Sequence, residues 1–348
     1  MTSAGLPSRA CRGFSELKVD AVVFDVDGTL VDTRESYDRA VVEAANLILL
    51  SLTGASLPEQ EVLKAVYRLR MTGFYNLDWD TAYVVVMSAL AGLSEEALAE
   101  VAEEAKPGSF SLPSKPPARA DSTAMLRSLQ SGLELAAGGV AQFTRRLLSS
   151  CSSRRLKLLA KVREYLGYPE RSADSLLASV FDEVYYGSTR YLKLAGRVVV
   201  GGRPGLIERE KLIVEERTLR WLSKATGGRL GIVSGRSRAS AEEVLGHLMS
   251  YFNPRATVFT EDLARMGVRA SKPDPRLLEA SLRALEPFTA AAYVGDSPED
   301  AEMALRAGAY FIGVYSTHPA PGELASKLLE LGAAVVVPTV NELPKVIA

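Results

Sequence analysis

Residues 22–33 read VVFDVDGTLVDT, and the interpretation of this stretch decides the fold. An apolar run of this kind suits a strand buried on both faces, yet it drives straight into Asp25 and Asp27 and then reaches Gly28. Alternate side chains on a strand share a face, so the two carboxylates begin on the same side. Gly28 lets the backbone turn sharply beyond the strand end. Taken alone, an Asp-Gly turn that closes a strand is the commoner explanation of these residues.

The rest of the chain discriminates between the two. From about residue 205 helix and strand alternate. A helix over 205–225 is expected before RLGIVSG, one over 240–250 before ATVFTED and one over 275–285 before AAAYVGDS. Two more, over 298–307 and 322–331, precede YFIGVY and AAVVVPT. That spacing predicts a parallel sheet covered by helices on both faces, and the strand at 20–25 shares its texture. Between them, 34–204 reads as mainly helical, with segments at 34–50, 59–71, 80–91, 94–105 and 123–165. The fold class expected is therefore α/β, a Rossmann-like parallel sheet core with an inserted, mainly α-helical domain. Residues 1–18 read as a tail, 19–33 with 205–348 as the core, and 34–204 as the insert. Within the insert, 106–122 (KPGSFSLPSKPPARADS) has four prolines and four serines and is expected to be flexible.

Composition narrows the chemistry. The 348 residues carry 41 basic and 42 acidic side chains, so no global basic field favours nucleic acid. No apolar run reaches membrane-spanning length, and the N-terminus lacks the apolar core of a signal peptide. Cys11 and Cys151, and His247 and His318, show no metal-ligand spacing. A cytoplasmic protein with no membrane or nucleic-acid partner is expected. Nothing in the sequence indicates an oligomeric state.

Three later strand ends carry polar groups that suit a common task. The strand LGIV runs into Ser234-Gly235, where a hydroxyl and backbone N–H groups can bind phosphate oxygens, and Ser240 with Glu243 makes a plausible capping box for the next helix. SKPDP offers Lys272, a compact positive charge for a phosphoryl group, while Asp274 and Pro275 suit the N-cap and first position of a helix. YVGDSPEDAEMA places Asp296 at a strand end and Asp300 four residues on, a hard-oxygen pair suited to Mg2+. Each has a structural reading too: a turn, a surface lysine, acidity at a helix start.

Together and in this order, DVDGT (25–29), VSGR (233–236), KPDP (272–275) and GDSPED (295–300) resemble the four motifs of the haloacid dehalogenase-like superfamily. The likeness covers about 19–33 and 205–338. It implies a phosphohydrolase acting on a small phosphorylated metabolite through an aspartyl-phosphate. By that resemblance Asp25 is the nucleophile and Asp27 the general acid and base. Ser234, Gly235 and Lys272 bind phosphate. Mg2+ is held by Asp25, the backbone carbonyl of Asp27 and Asp296, with Asp300 supporting. A wide gap after the first motif resembles the branch with a helical cap there, which includes phosphoglycolate phosphatase and beta-phosphoglucomutase, although this insert exceeds the usual cap.

A phosphosugar mutase would use the same motifs, and an inactive binding protein would share the fold. Such a protein would typically lose one of Asp25, Asp27, Lys272 or Asp296, and all are present. Dehalogenases of the superfamily lack the second Asp of the first motif, so Asp27 argues against one. In the insert, MTGFYNLDWDTAY (71–83) mixes aromatic faces with short polar groups. Asn76 and Asp78 are its candidate substrate contacts, the plainer reading being aromatics packed at a helix–loop–helix junction.

Overall fold

The computed structural model describes residues 16–348 apart from Asn76, Met266 and Arg269. It divides into two compact units, the described residues up to Thr33 together with Glu210–Ala348, and Arg34–Arg209. Most of the expected tail, and Cys11 with it, lies outside the described residues. Leu17 is described and bridges in parallel to Ile347.

The first unit holds eight strands among the described residues: β1 (Ala21–Phe24), β2 (Val31–Asp32), β3 (Lys211–Leu212), β4 (Leu230–Ser234), β5 (Thr257–Phe259), β6 (Ala291–Gly295), β7 (Tyr310–Val314) and β8 (Val335–Val337). Six form a parallel sheet in the order β5-β4-β1-β6-β7-β8. Every residue of β1, β4 and β6 is buried, which is why these strands read as unbroken apolar runs. The chain builds outward from β1 to β4 and β5, then returns to β1 and builds the other way from β6. This reversal makes the carboxyl ends of β1, β4 and β6 the place where an open α/β sheet offers a crevice.

β2 and β3 form a separate antiparallel ribbon, with Val31 opposite Leu212 and Asp32 opposite Lys211. The insertion leaves after β2 and returns before β3. The continuous helix expected over 205–225 is thus broken into a 3₁₀ turn (Leu206–Arg209), β3 and a helix starting at Glu216. The interruption has a tertiary cause. Ile213 and Val214 N–H groups bond to Leu30 O, and Asn341 Oδ1 accepts from Glu215 N (3.0 Å) and Thr218 Oγ1 (2.9 Å), fixing the helix start.

The second unit has nine α-helices among the described residues: α1 (Arg39–Thr53), α2 (Glu59–Arg70), α3 (Asp78–Leu90), α4 (Glu95–Glu104), α5 (Ser122–Leu135), α6 (Val140–Ser149), α7 (Ser153–Leu166), α8 (Leu176–Tyr186) and α9 (Ser188–Ala195). It has its own core, in which α3 is buried from Thr81 to Leu90. Residues 106–121 form no regular element, yet the stretch is tied down. Tyr165 Oη donates to Ser111 O, Ser51 Oγ to Pro113 O, and Ala120 N to Thr53 O. Glu183, fully buried on α8, accepts from the backbone N–H groups of Val199 (2.6 Å), Val200 (2.9 Å) and Gly201 (2.7 Å) and from Ser188 Oγ (2.7 Å).

The helices of the first unit are α10 (Glu216–Ala225), α11 (Arg238–Leu245), α12 (Thr260–Arg265), α13 (Pro275–Arg283), α14 (Pro298–Arg306) and α15 (Pro321–Glu330). Asp274 caps α13, accepting from Arg276 N, as the sequence predicts. For α11 the expectation fails. Its cap is Ser237, because the Ser240 hydroxyl is buried and accepts a bond from Arg236 Nε (3.0 Å) instead. Among the described residues no helix is long and apolar enough to cross a membrane.

Candidate active site

Asp25 follows β1 directly, and its backbone N–H still bonds to Val294 O, so the sheet fixes its position. Beyond it the chain coils tightly. Thr29, Leu30 and Val31 N–H groups all bond to Val26 O, and Gly28 N to Val31 O. Gly28 sits at φ +71°, and a Cβ there would overlap the Asp296 carboxylate. The glycine is thus required twice, for the turn and for the close approach of a second acidic strand end.

Asp296 follows β6, and Asp300 lies in the first turn of α14. One carboxylate oxygen from each of Asp25, Asp296 and Asp300 falls within 4.8 Å of the others, a cluster able to hold a metal ion. Asp300 is fully buried. Its Oδ2 accepts from Ser297 Oγ (2.7 Å) and from the backbone N–H groups of Ser297 (3.1 Å) and Asp296 (3.2 Å), a reciprocal capping box for α14. Lys272 Nζ reaches Asp300 Oδ1 at 2.7 Å and Asp25 Oδ1 at 2.6 Å. Beneath them Tyr293 Oη lies 3.2 Å from Asp300 Oδ1 and donates to Val233 O (3.0 Å).

Charge in this cluster is unbalanced. Burial pushes the Asp25 carboxyl up from 3.8 to about 7, with the Asp300 and Asp27 carboxylates adding to the rise and Lys272 opposing it. Burial alone would lower Lys272, but Asp25 and Asp300 outweigh it and hold the ammonium charged. Two buried carboxylates, Asp25 and Asp300, share one lysine beside the half-buried Asp296, leaving negative charge that a hard cation would neutralise, and all-oxygen donors suit Mg2+. The residues therefore fit the expected ion.

Ser234 ends β4, buried, with its Oγ accepting from Arg236 N (3.2 Å). Gly235 is exposed, and a Cβ there would meet nothing within 4 Å, so sterics do not require glycine. Asp27 stands apart from the lysine. Its Oδ1 accepts from Arg236 Nη1 (2.7 Å), and Arg236 also pairs with Glu210. Sequence reading passed over Arg236, Glu210, Tyr293 and Ser297. Ser297-x-x-Asp300 carried a detectable signal, a capping-box spacing. Glu210 carried none, since its partner is reached only through the fold.

In the helical unit Asp78 opens α3 and accepts from Arg70 Nη2 (2.7 Å), while Arg70 Nη1 reaches Asp38 Oδ1 (2.5 Å). Asn76 lies outside the described residues. Within 71–83, Tyr75 and Tyr83 are buried and Phe74 is exposed, and Trp79 Nε1 donates to Asp182 Oδ1 (2.9 Å).

Comparison with known proteins accords with this geometry. The haloacid dehalogenase-like hydrolase profile matches residues 19–308. The chain belongs to that family. An X-ray structure from a structural genomics consortium, whose description names no activity, shares 20% identity, covering 94% of this chain and 98% of its own, at a TM-score of 0.63. That likeness shows the fold. A phosphatase from Thermococcus thioreducens follows at 24% identity, 88% and 98% coverage and a TM-score of 0.46, and a hydrolase from Pseudomonas syringae at 14%, 94% and 99%, and 0.43. No curated protein sequence matches the chain. As a haloacid dehalogenase-like hydrolase it is an enzyme by family, with its four motifs at the ends of β1, β4 and β6 and in the turn before α13.

Proposed function

We propose that this hydrolase is a Mg2+-dependent phosphatase that cleaves a small phosphomonoester through an aspartyl-phosphate on Asp25. One observation carries the reading. Asp25 is buried against Lys272 at 2.6 Å inside an acidic cluster, while a second carboxylate, Asp27, is held separately.

Asp25 attacks phosphorus, forming a new O–P bond as the ester P–O bond breaks. Asp27 gives its proton to the departing alcohol oxygen. In the second step Asp27, now a carboxylate, takes a proton from the water that attacks the aspartyl-phosphate, releasing inorganic phosphate and restoring Asp25. Lys272 offsets charge that would otherwise repel Asp25 from a phosphate dianion. Ser234 Oγ and the Gly235 backbone N–H bind phosphate oxygens in this reading. Asp25, Asp296 and the Asp27 backbone carbonyl, with Asp300 in support, would hold Mg2+, which would supply positive charge at the transferring group. Asp300 also fixes Lys272 through Oδ1 and the α14 start through Oδ2. Substrate choice falls to the helical unit, with Asn76 and Asp78 as candidate contacts.

The test is phosphate release from p-nitrophenyl phosphate with Mg2+ and with excess chelator. Release that requires Mg2+ supports the proposal, and full activity in chelator overturns it. Isomerisation of a hexose 1-phosphate, assayed alongside, would identify a phosphosugar mutase instead.

A further inference from the structure

The Arg236 side chain is fully buried, as is that of Asp300. All three arms of its guanidinium are engaged. Nε donates to Ser240 Oγ at 3.0 Å, Nη2 pairs with Glu210, and Nη1 donates to Asp27 Oδ1 at 2.7 Å. Ser240 is itself held, its Oγ lying 2.8 Å from Ser237 Oγ at the start of α11. Glu210 is almost as buried as the arginine, at 1% side-chain exposure, whereas the Asp27 side chain is 30% exposed. The guanidinium is planar, so fixing two arms from the buried side leaves the third a single direction. The group so aimed is the one carboxylate of the first motif that Lys272 does not hold.

We propose that Arg236, itself set by Glu210 and Ser240, is a positioning residue that holds the Asp27 carboxyl in the orientation from which it serves the leaving-group oxygen. The inference rests on the reading of Asp27 as general acid. Arg236 has only donors and keeps its protons, so when Asp27 is neutral its proton sits on Oδ2, the oxygen not occupied by Nη1. That proton passes from Oδ2 to the ester oxygen as the P–O bond breaks and the Asp25 O–P bond forms. Arg236 gains and loses nothing in the step. Glu210 immediately precedes β3 and Asp27 lies in the turn before β2, so the arginine also ties together the two sides of the ribbon through which the insertion leaves and returns.

The experiment uses ring-substituted phenyl phosphates, which differ in leaving-group basicity but little in shape. The quantity read is kcat/KM at saturating Mg2+, which reports steps up to phosphoenzyme formation. Arg236→Met is expected to steepen the dependence on leaving-group basicity as Asp27→Asn does. The poorest leaving groups should lose roughly 10- to 100-fold and p-nitrophenyl phosphate no more than about threefold. Arg236→Lys, with a single point of attachment, should fall between. An equal loss for every ester would make Arg236 merely structural and overturn the inference. So would an unchanged slope in Arg236→Met alongside a steepened one in Asp27→Asn. An unchanged slope in Asp27→Asn itself would instead remove the reading on which the inference rests. Should Arg236→Met fail to fold because it strands a buried carboxylate, the double variant Arg236→Met/Glu210→Met removes that charge and carries the same expectations.

Discussion

Asp25 in the sheet unit and Glu183 in the helical unit are both buried carboxylates, and their surroundings treat them in opposite ways. Glu183 receives three backbone N–H groups and a hydroxyl, and although burial works to raise its pKa, these donors pull it below the ordinary range. Asp25 receives one lysine that it shares with Asp300, has two further carboxylates nearby, and is pushed up to about 7. Burial works to raise both acids; the four donors around Glu183 outweigh it, and the one shared lysine at Asp25 does not. The satisfied acid staples a loop, and the other is the one proposed to take a cation and a phosphoryl group.

The largest effect expected from breaking this contrast is at Asp25. Asp25→Asn should lower phosphatase turnover by roughly 10⁴-fold or more, the scale on which loss of a nucleophile is felt. The folded state should persist, since Lys272 keeps Asp300, and circular dichroism would show it. Near-wild-type turnover would end the assignment of Asp25.

Glu183→Gln should leave turnover chemistry alone and cost stability, about 3 kcal/mol, because an amide N–H would face backbone donors that need an acceptor. Thermal unfolding measures this, and its pH dependence separates the two acids. In chelator, folded Asp25 keeps a proton between its ordinary 3.8 and about 7 that the unfolded chain has lost, so its contribution makes stability fall as pH rises through that window. Glu183 is the reverse. Its contribution is complete above its ordinary 4.5 and is lost as pH falls below it. Asp25→Asn should flatten the upper limb and Glu183→Gln the acid limb. If either variant flattened the other's limb, the comparison would be wrong.

Asp296→Ala should weaken Mg2+ binding by at least ~10-fold, since even residues behind the ligands matter that much. Calorimetric titration of Mg2+ reads it, and unchanged affinity would remove Asp296 from the metal set. Tyr293→Phe should have the smallest effect. Losing the hydroxyl that bonds to Val233 O is expected to cost about 1 kcal/mol, with Mg2+ affinity little changed.

The strands that carry the site were readable because parallel strands buried on both faces have to be continuous apolar runs, and each ends on a polar residue. Ala21–Phe24 ends on Asp25, Ala291–Gly295 on Asp296, and Leu230–Ser234 closes with the serine itself. Local patterns also placed Asp274 as a cap. Reading failed where a distant partner overrides a local preference. Asn341 sets where α10 begins, and Arg236 draws the Ser240 hydroxyl away from capping. Glu183 was invisible because its four donors come from 188–201, brought over it by the fold.

The two-rung ribbon of β2 and β3 has a consequence for how such a chain can change over generations. Paired strands lie about 4.8 Å apart, so the chain leaves the sheet unit for its 176-residue insertion, Arg34–Arg209, and re-enters it at points one strand spacing apart. To the sheet, the insertion's length is invisible. Helices can be added, lost or exchanged beyond the ribbon at no cost to strand register, provided the two ends still arrive one strand spacing apart. On the proposed reading, in which substrate choice falls to the helical unit, new specificities could be recruited by replacing a module rather than by remodelling the site.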